Sequence, residues 1–362
     1  MIHRLVFENL KHRPIRTLLS TFAIGVQVTM ILTLVGLSEG MLGDLANRSR
    51  GTGADVIVRA PDSSLISFGL NMPERLVDEV VRKMEHVTLA TGAFVHPIGG
   101  LDTITGIDAA EFTQLSGGLE YLAGGSFQKE DDLVVSRIFA EQRQLRPGST
   151  FDFGHQWNIT GIVEEGKLSR TFADKRALQN IFAEDGKVSV IYVKVDEPAN
   201  IDTVVNALRQ RLEGYKVYSM EEFVSLFTAN NVPLLEGFTN VVIFVAAMVG
   251  FLVVFLSMYM AVLERTREIG ILKAMGASPG YIVGILLRET VVLAIVGTVL
   301  GILMTFGTRE LMAEFAPNMM QQIVPGWYLP AAGIAMVGSL IGAIYPGLKA
   351  ARQDAIEALS YD

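Results

Sequence analysis

The chain has no cysteine among its 362 residues, which excludes disulfide bonds, thiolate metal ligands and cysteine nucleophiles. Charged residues make up only 19%, below the roughly 25% of soluble domains. The net charge is −8 and no basic stripe is present, so nucleic acid is not an expected partner. The histidines lack the spacing of metal ligands, and we expect surface or interface roles for them: His3, His12, His86, His96 and His155.

Long apolar runs, by contrast, occur four times, near residues 17–37, 241–263, 290–308 and 329–345. Each approaches the length of about 20 residues that a helix needs to cross the hydrocarbon core. The first run exceeds the apolar region of a secretory signal, and no small-x-small cleavage site clearly follows it. The sequence therefore predicts a membrane α-helical protein with four transmembrane helices and one large domain between spans one and two.

Lysine and arginine mark the side of the membrane on which each short segment lies. They precede span one, separate spans two and three, and follow span four: Arg4, Lys11, Arg13, Arg16, Arg265, Arg267, Lys273, Arg288, Lys349 and Arg352. Such residues in short loops favour the cytoplasm. We expect a multi-pass protein of the cell inner (plasma) membrane, with both termini cytoplasmic and the large domain periplasmic or extracytoplasmic.

The predicted boundaries follow from these runs. They are a cytoplasmic amphipathic N-terminal helix (1–16), span one (17–41), the extracytoplasmic domain (42–236), span two (237–263), a cytoplasmic helix (264–281), span three (282–308), an external loop (309–328), span four (329–346) and a cytoplasmic tail (347–362).

The external domain alternates strand-like and helix-like runs, which predicts an α+β fold of two lobes with 115–185 as a possible inserted lobe. Valine and isoleucine enrichment predicts strands, and helical apolar spacing predicts helices. The predicted strands are 54–59, 133–135 and 188–195, with a hairpin at 151–163; the predicted helices are 73–84, 136–145, 201–212 and 221–230.

Small residues recur inside spans three and four. Gly297 and Gly301 are four apart, as are Gly338 and Gly342, and this spacing lets helix backbones approach closely, although glycine is common in membrane helices anyway. Ionisable residues are nearly absent from the spans; Arg288 and Glu289 are the nearest. We expect them at the inner interface, with a buried functional pair as the alternative. This pattern disfavours an ion-coupled transporter.

The loop between spans two and three carries the most local structure. Glu264 and Arg267, like Arg265 and Glu268, are three apart and can pair on a helix. An apolar face is predicted at helical spacing: Ile269, Leu272 and Met275. A solvated connector on the membrane and a docking helix for a cytoplasmic partner fit equally well.

Helix signals delimit this segment. Gly276 is a stop signal, and Ser278 followed by Pro279 predicts the start of the next helix. The segment is therefore predicted to be a short helix, a break, and then span three.

Two motifs that suggest catalysis lie in the wrong context. Residues 36–40 read Gly-x-Ser-x-Gly, but this run ends a membrane span rather than joining a strand to a helix. Residues 161–167 nearly form a phosphate-binding loop, but Leu168 stands where a serine or threonine is required. We therefore expect no catalytic residues, and a membrane enzyme is disfavoured.

The run ERTREIGILKAMGAS (264–278) resembles the signature of MacB-like and FtsX-like ABC permeases, a family that includes lipoprotein-release permeases. Residues 8–19 and 345–359 are similar to the start and tail of that family. The resemblance implies a MacB-like core domain, an FtsX-like permease domain at 237–355, and a coupling helix that docks on an ATPase. The implied docking residues are Glu264, Arg265, Arg267, Glu268, Ile269, Gly270, Leu272, Lys273, Met275 and Gly276.

The resemblance implies a mechanotransmission complex of two permeases and two ATPases. The ATPase is expected to be a separate chain that binds ATP and magnesium, so this chain is a non-catalytic subunit with no cofactor of its own. Expected partners are this ATPase, a second copy or paralogue, a periplasmic adaptor or cargo protein, and membrane lipid.

The expected activity is export or extraction of lipoproteins, lipids, peptides or hydrophobic compounds. The alternative is an FtsX-like scaffold that transmits a signal to a periplasmic enzyme or binding partner. The cargo itself is not readable, because apolar residues such as Phe68, Leu70 and Met72 can be contact or core residues.

Overall fold

The computed structural model describes residues 14–63, 71–99, 102–228, 231–316 and 319–353. Most of the predicted N-terminal helix, Phe68, Leu70 and the tail from residue 354 lie outside the described residues. Contacts divide the chain into one unit at Met41–Val232 and a second unit that contains the rest.

The first long helix is α1 (Pro14–Arg50), which contains the first apolar run. It continues beyond the predicted end at residue 41. Leu42 and Ala46, four residues apart, are both buried, so the helical apolar period persists after the run itself ends.

The unit Met41–Val232 combines helices with a mixed sheet, in agreement with the predicted α+β pattern, and we call it the α/β domain. The sheet order among the described strands is β12-β1-β11-β3-β4-β9-β6-β8-β5, and β7 pairs with β8. The strands of the unit are β1 (Val56–Arg59), β2 (Met72–Pro73), β3 (Val87–Gly99), β4 (Asp102–Ile107), β5 (Tyr121–Gly124), β6 (Asp132–Ser136), β7 (Thr150–Asp152), β8 (Gln156–Val163), β9 (Thr171–Asp174), β10 (Lys187–Val188), β11 (Val190–Val195) and β12 (Lys216–Ser219). The helices are α2 (Arg75–Glu79), α3 (Ala109–Ser116), α4 (Arg137–Arg143), α5 (Lys175–Ile181), α6 (Ile201–Arg211) and α7 (Met220–Ser225).

Strand β3 changes its partner along its length. Its first part pairs with β11 and its second part with β4, both antiparallel. The pairs β4–β9 and β6–β8 are parallel, so the sheet is mixed. The predicted hairpin forms between β7 and β8.

Separate apolar clusters underlie the two ends of this strand order. Helix α6 buries Val204 and Leu208 in a cluster with residues of β1 and β11. Trp157 and Leu133, fully buried, centre a second cluster under β6 and β8. Met72 is 1% exposed and belongs to the first cluster, so it is a core residue rather than a contact residue.

Two predicted helices of the domain are wrong in extent. Helix α7 ends at Ser225, and residues 226–228 are not helical, so the described part of 221–230 is not one helix. The helix predicted at 73–84 ends at Glu79 and gives way to a 3-10 turn at Val81–Lys83.

The second unit contains α8 (Pro233–Glu264), α9 (Thr266–Ala274), α10 (Pro279–Phe315) and α11 (Tyr328–Arg352). Among the described residues, four helical segments are long and apolar enough to cross a membrane: Pro14–Arg50, Leu235–Glu264, Pro279–Phe315 and Pro325–Arg352. These segments confirm the four predicted apolar helices. They extend past the predicted ends because flanking polar residues continue the helix.

Glycines bring these helices into close contact. A Cβ atom added at Gly297 would lie 2.7 Å from the Ile24 Cβ, and one at Gly301 would lie 2.6 Å from the Gly25 carbonyl oxygen. The corresponding atom at Gly342 would lie 2.9 Å from the Phe251 carbonyl oxygen on α8. Gly338 is less crowded, with its nearest neighbour at 3.8 Å.

The Gly-x-Ser-x-Gly run lies inside α1 and serves packing. Ser38 is buried, with its hydroxyl 3.4 Å from that of Thr239. Gly36 and Gly40 leave no room for a Cβ beside the backbone of residues 320–322, and the Gln322 N–H donates to the Gly36 carbonyl at 2.9 Å. These glycines let the segment between α10 and α11 lie directly on α1.

The near phosphate-binding run is also structural. Strand β8 ends at Val163, and the Lys167 ammonium donates to the carbonyls of Ser116 (3.1 Å) and Gly118 (2.6 Å) at the end of α3. A cation at a helix C-terminus is stabilised by the helix dipole.

Candidate partner-docking site

The short helix α9 is sharply delimited at its C-terminal end. Gly276 has φ of +90°, and its N–H donates to the Lys273 carbonyl at 2.9 Å while the Ala277 N–H donates to the Leu272 carbonyl at 3.0 Å. These two bonds form a Schellman motif. The Ser278 hydroxyl then accepts from the Tyr281 N–H at the start of α10, as the sequence predicted.

One side of α9 is exposed, and we call it the outer face: Arg267, Glu268, Ile271, Ala274 and Met275. At 3.6 residues per turn these positions fall within an arc of about 120°. Met275 is 72% exposed and Ile271 is 45% exposed. The outer face therefore combines exposed apolar side chains with one charge of each sign.

The opposite side of α9 packs on the membrane helices. Ile269 is buried in a cluster with Val262 of α8, Ile282 and Leu286 of α10, and Ala350 of α11. Gly270 is buried as well. The predicted apolar face is thus only partly buried: Ile269 is buried, Leu272 is half-buried and Met275 is exposed.

Lys273 ties α9 to the end of α11. Its ammonium donates to the Ala351 carbonyl at 2.9 Å and also to the Gln353 carbonyl. These carbonyls lie at the C-terminus of α11, where the helix dipole favours a cation. Lys273 is thus an anchoring residue for α9 in this structure.

A cluster of charges lies where α8 meets α9, and we call it the charge ring: Arg16, Glu264, Arg265 and Glu289. The Glu289 carboxylate is fully buried and contacts Arg16 at 2.8 Å and Arg265 at 3.3 Å. Arg16 also lies 3.9 Å from the Glu264 carboxylate. The ring has two positive and two negative members, so its formal charge is zero.

The charge ring corrects one expectation from the sequence. Arg288 and Glu289 were expected together at an interface, but Arg288 is exposed while Glu289 is buried between helices, because adjacent helical residues point about 100° apart. The predicted pairs of Glu264 with Arg267 and of Arg265 with Glu268 straddle the break between α8 and α9. The structure brings Arg265 to Glu289 instead of leaving it on the surface.

The ten predicted docking residues therefore divide by position. Exposed are Glu264, Arg267, Glu268, Met275 and Gly276; half-buried are Leu272 and Lys273; buried are Arg265, Ile269 and Gly270. Ile271 was missed, although a helical projection places it between Arg267 and Met275. Docking by the exposed members stays a prediction.

The α/β domain has a cavity of about 110 Å³ that is lined by polar, aromatic and aliphatic side chains, among them Arg59, Thr105, Ser189, Tyr192 and Phe223. Burial lowers the pKa of the Arg59 guanidinium and raises the pKa of the Tyr192 phenol. The Arg59 guanidinium lies 5.8 Å from the centre of the Phe223 ring. Within the described ranges, no group of three His, Asp or Glu side chains is placed to hold a metal ion.

Two family models match the chain. The MacB-like periplasmic core domain matches residues 17–211, and the FtsX-like permease C-terminal domain matches residues 240–355. The second match contains α9, α10 and α11 and nearly all of the candidate docking site.

Curated relatives align over nearly the whole chain. The macrolide export ATP-binding/permease protein MacB of Nitrobacter winogradskyi is 26% identical over 99% of this chain and 60% of its own length. An uncharacterized ABC transporter permease of Methanocaldococcus jannaschii is 22% identical over 98% of this chain and 96% of its own length. The chain thus spans about 60% of the length of the MacB relative.

Among solved structures, the periplasmic region of MacB from Actinobacillus actinomycetemcomitans covers 48% of this chain and 92% of its own. Its identity is 13% and its TM-score is 0.37.

Proposed function

Because the chain belongs to the MacB/FtsX-like family of ABC transporter permeases, we propose that it is the non-catalytic subunit of an ATP-driven mechanotransmission complex. A separate cytoplasmic ATPase binds ATP and magnesium and drives a conformational change in the extracytoplasmic domain. The cargo class is lipoproteins, lipids, peptides or hydrophobic compounds. In this proposal both termini and α9 face the cytoplasm.

The observation that carries this proposal is the exposed outer face of α9. Met275 and Ile271 expose apolar area beside Arg267 and Glu268, and an amphipathic helix of this kind fits an apolar groove in a partner protein. Exposed aromatic, Met and Arg residues are also enriched at protein interfaces. The proposed partner surface on α9 is therefore Arg267, Glu268, Ile271 and Met275.

The buried side of α9 supports transmission of the partner's motion. Ile269 packs on three membrane helices, and Lys273 bonds to the end of α11. A force on the outer face therefore reaches α8, α10 and α11 through packed contacts. Packed cores respond to such forces by switching between discrete arrangements rather than by bending continuously.

We further propose that residues 115–185 form a second lobe, which the partner change of β3 supports.

The partner is tested by purifying a tagged chain from its native membranes and measuring the ATPase activity that accompanies it. Arg267→Glu reverses a charge on the outer face, and Met275→Glu places a charge in the proposed contact with the partner. Each variant should reduce that ATPase activity by at least about tenfold, since hot-spot changes cost about 2 kcal/mol or more. The matched control is Arg309→Glu, which reverses an exposed charge on α10, away from α9, and should retain the ATPase activity.

Two results would contradict this proposal. The first is that no ATP-hydrolysing protein accompanies the unaltered chain. The second is that the two α9 variants retain as much ATPase activity as Arg309→Glu.

A further inference from the structure

We propose that Glu289 is a positioning residue whose two ion pairs set the orientation of α9 relative to α1 and α10. This inference rests on the proposed docking role of α9, because a helix that transmits force must be held at a defined angle. Arg16 lies on α1, Arg265 lies at the junction of α8 and α9, and Glu289 lies on α10. The two ion pairs therefore join these three segments.

The geometry of Glu289 is that of a bridge. Its Oε1 atom accepts from Arg16 at 2.8 Å and its Oε2 atom accepts from Arg265 at 3.3 Å, so each oxygen holds a different segment. The carboxylate is 0% exposed and the two arginine side chains are 16% and 9% exposed. Water therefore does little to screen these contacts.

A need for stability does not explain such a bridge. Taking ions out of water costs free energy that their mutual attraction repays only in part, and apolar residues of similar volume often serve as well. In some proteins a buried polar or ionic group instead selects one geometry among several. Because each Glu289 oxygen holds a different segment, orientation is the property assigned to the ring here.

The position of the ring also fits this role. Arg265 is the single residue between α8 and α9, and the adjacent Glu264 lies 3.9 Å from Arg16. A rotation of α9 that carries Arg265 with it must stretch or break the contacts of Arg265 with Glu289. The ion pairs of the ring thus restrict the angle at which α9 leaves α8.

Three variants separate positioning from stability. Glu289→Leu alone leaves two arginines without their shared carboxylate and should be poorly stable. The triple variant Arg16→Met, Arg265→Met, Glu289→Leu replaces the buried charges by apolar side chains and should regain thermal stability. Glu289→Gln keeps the shape of the side chain and removes its charge. It replaces the triple variant in the distance measurement if the triple variant does not assemble.

Orientation is measured by the distance between two spin labels in the intact chain in lipid nanodiscs. The chain has no natural cysteine, so Ala274→Cys on α9 and Val299→Cys on α10 can be labelled specifically. Both positions are exposed, and Val299 lies about 30 Å along α10 from Pro279. A second pair within α10, Tyr281→Cys with Val299→Cys, reports whether that helix remains intact.

The unaltered background should give one narrow distance distribution for the pair that joins α9 to α10. We expect the triple variant and Glu289→Gln to widen it by about twofold or more, as several orientations become populated. The pair within α10 should stay narrow in every variant. Equal widths in the unaltered chain and in a thermally stable triple variant would overturn the inference. If the triple variant does not assemble, equal widths in the unaltered chain and in Glu289→Gln would overturn it.

This result is independent of the ATPase. Met275→Glu should leave the distance distribution narrow, since it lies on the outer face and not in the ring. A narrow distribution with lost ATPase association in Met275→Glu, together with widening in Glu289→Gln, supports both ideas. Widening in Glu289→Gln without any associated ATPase would remove the proposed function and leave the positioning role intact.

Discussion

Replacing Gly301 by alanine should destabilise the packing of α10 on α1. The added Cβ atom would lie 2.6 Å from the Gly25 carbonyl oxygen and 2.7 Å from the Val28 Cβ, which is closer than such atoms approach in folded proteins. The helices must separate to admit it. The Thr29 hydroxyl, which donates to the Gly301 carbonyl at 3.0 Å, would lose this bond as they move.

The magnitude follows from a comparison with Gly307 on the same helix. A Cβ atom at Gly307 meets no neighbour within 4 Å among the described residues. The gain in helix propensity of about 1 kcal/mol is common to both substitutions and cancels. Overpacking costs about 1–3 kcal/mol, so Gly301→Ala should be less stable than Gly307→Ala by that amount.

The assay is reversible unfolding in mixed detergent micelles, with helix content followed as the denaturing detergent increases. Gly307→Ala should match or exceed the unaltered chain, and Gly301→Ala should unfold at a lower detergent fraction. Equal midpoints for the two variants would refute the packing argument for this contact.

Two further predictions concern backbone strain and pH. Gly276→Ala should lower the free energy of unfolding by about 1 kcal/mol, because Gly276 has φ of +90°. Gly280→Ala is the control: its Cβ atom would meet no neighbour, so this variant should not be destabilised, and thermal unfolding of both variants tests the difference. In the α/β domain, hydrogen bonds from Asn200 and His86 lower the pKa of Asp196 to about 2, and Asp196 raises the pKa of His86 above 6.5. The Asp196 carboxylate therefore stabilises the folded domain above about pH 4, and this contribution is lost toward pH 2. Protonated His86 stabilises the folded domain below pH 6.5, and this contribution is lost as the pH rises through the raised pKa of His86. The stability difference between the unaltered chain and His86→Asn should be largest between about pH 4 and 6.5, and a difference independent of pH would contradict this assignment.

The sequence was sufficient for features that depend on neighbouring residues. Four apolar runs predicted the four long helices, and Gly276 with Ser278 predicted the end of α9 and the start of α10. Strands β1 and β11 followed from their valine and isoleucine content, and β6 from a short strand-like run. Each of these signals is local, so no tertiary information was needed.

Features that depend on distant residues were missed. Arg16 and Glu289 are 273 positions apart, and nothing in either neighbourhood indicates that they pair. The burial of the apolar face of α9 was not predictable for the same reason, since contacts with α8, α10 and α11 decide which side is buried. The helix predicted at 221–230 was too long, because apolar side chains continue past Ser225 whereas the helical backbone ends there.

A photo-crosslinking residue at Met275 probes the proposed contact between the outer face of α9 and a cytoplasmic ATPase. We expect a crosslink in intact cells to an ATP-hydrolysing protein, while the same residue at Leu311, an exposed position near the other end of α10, yields none to that protein. Crosslinks from Met275 to lipid alone, or labelling of this position from outside the cell, would contradict the proposed contact.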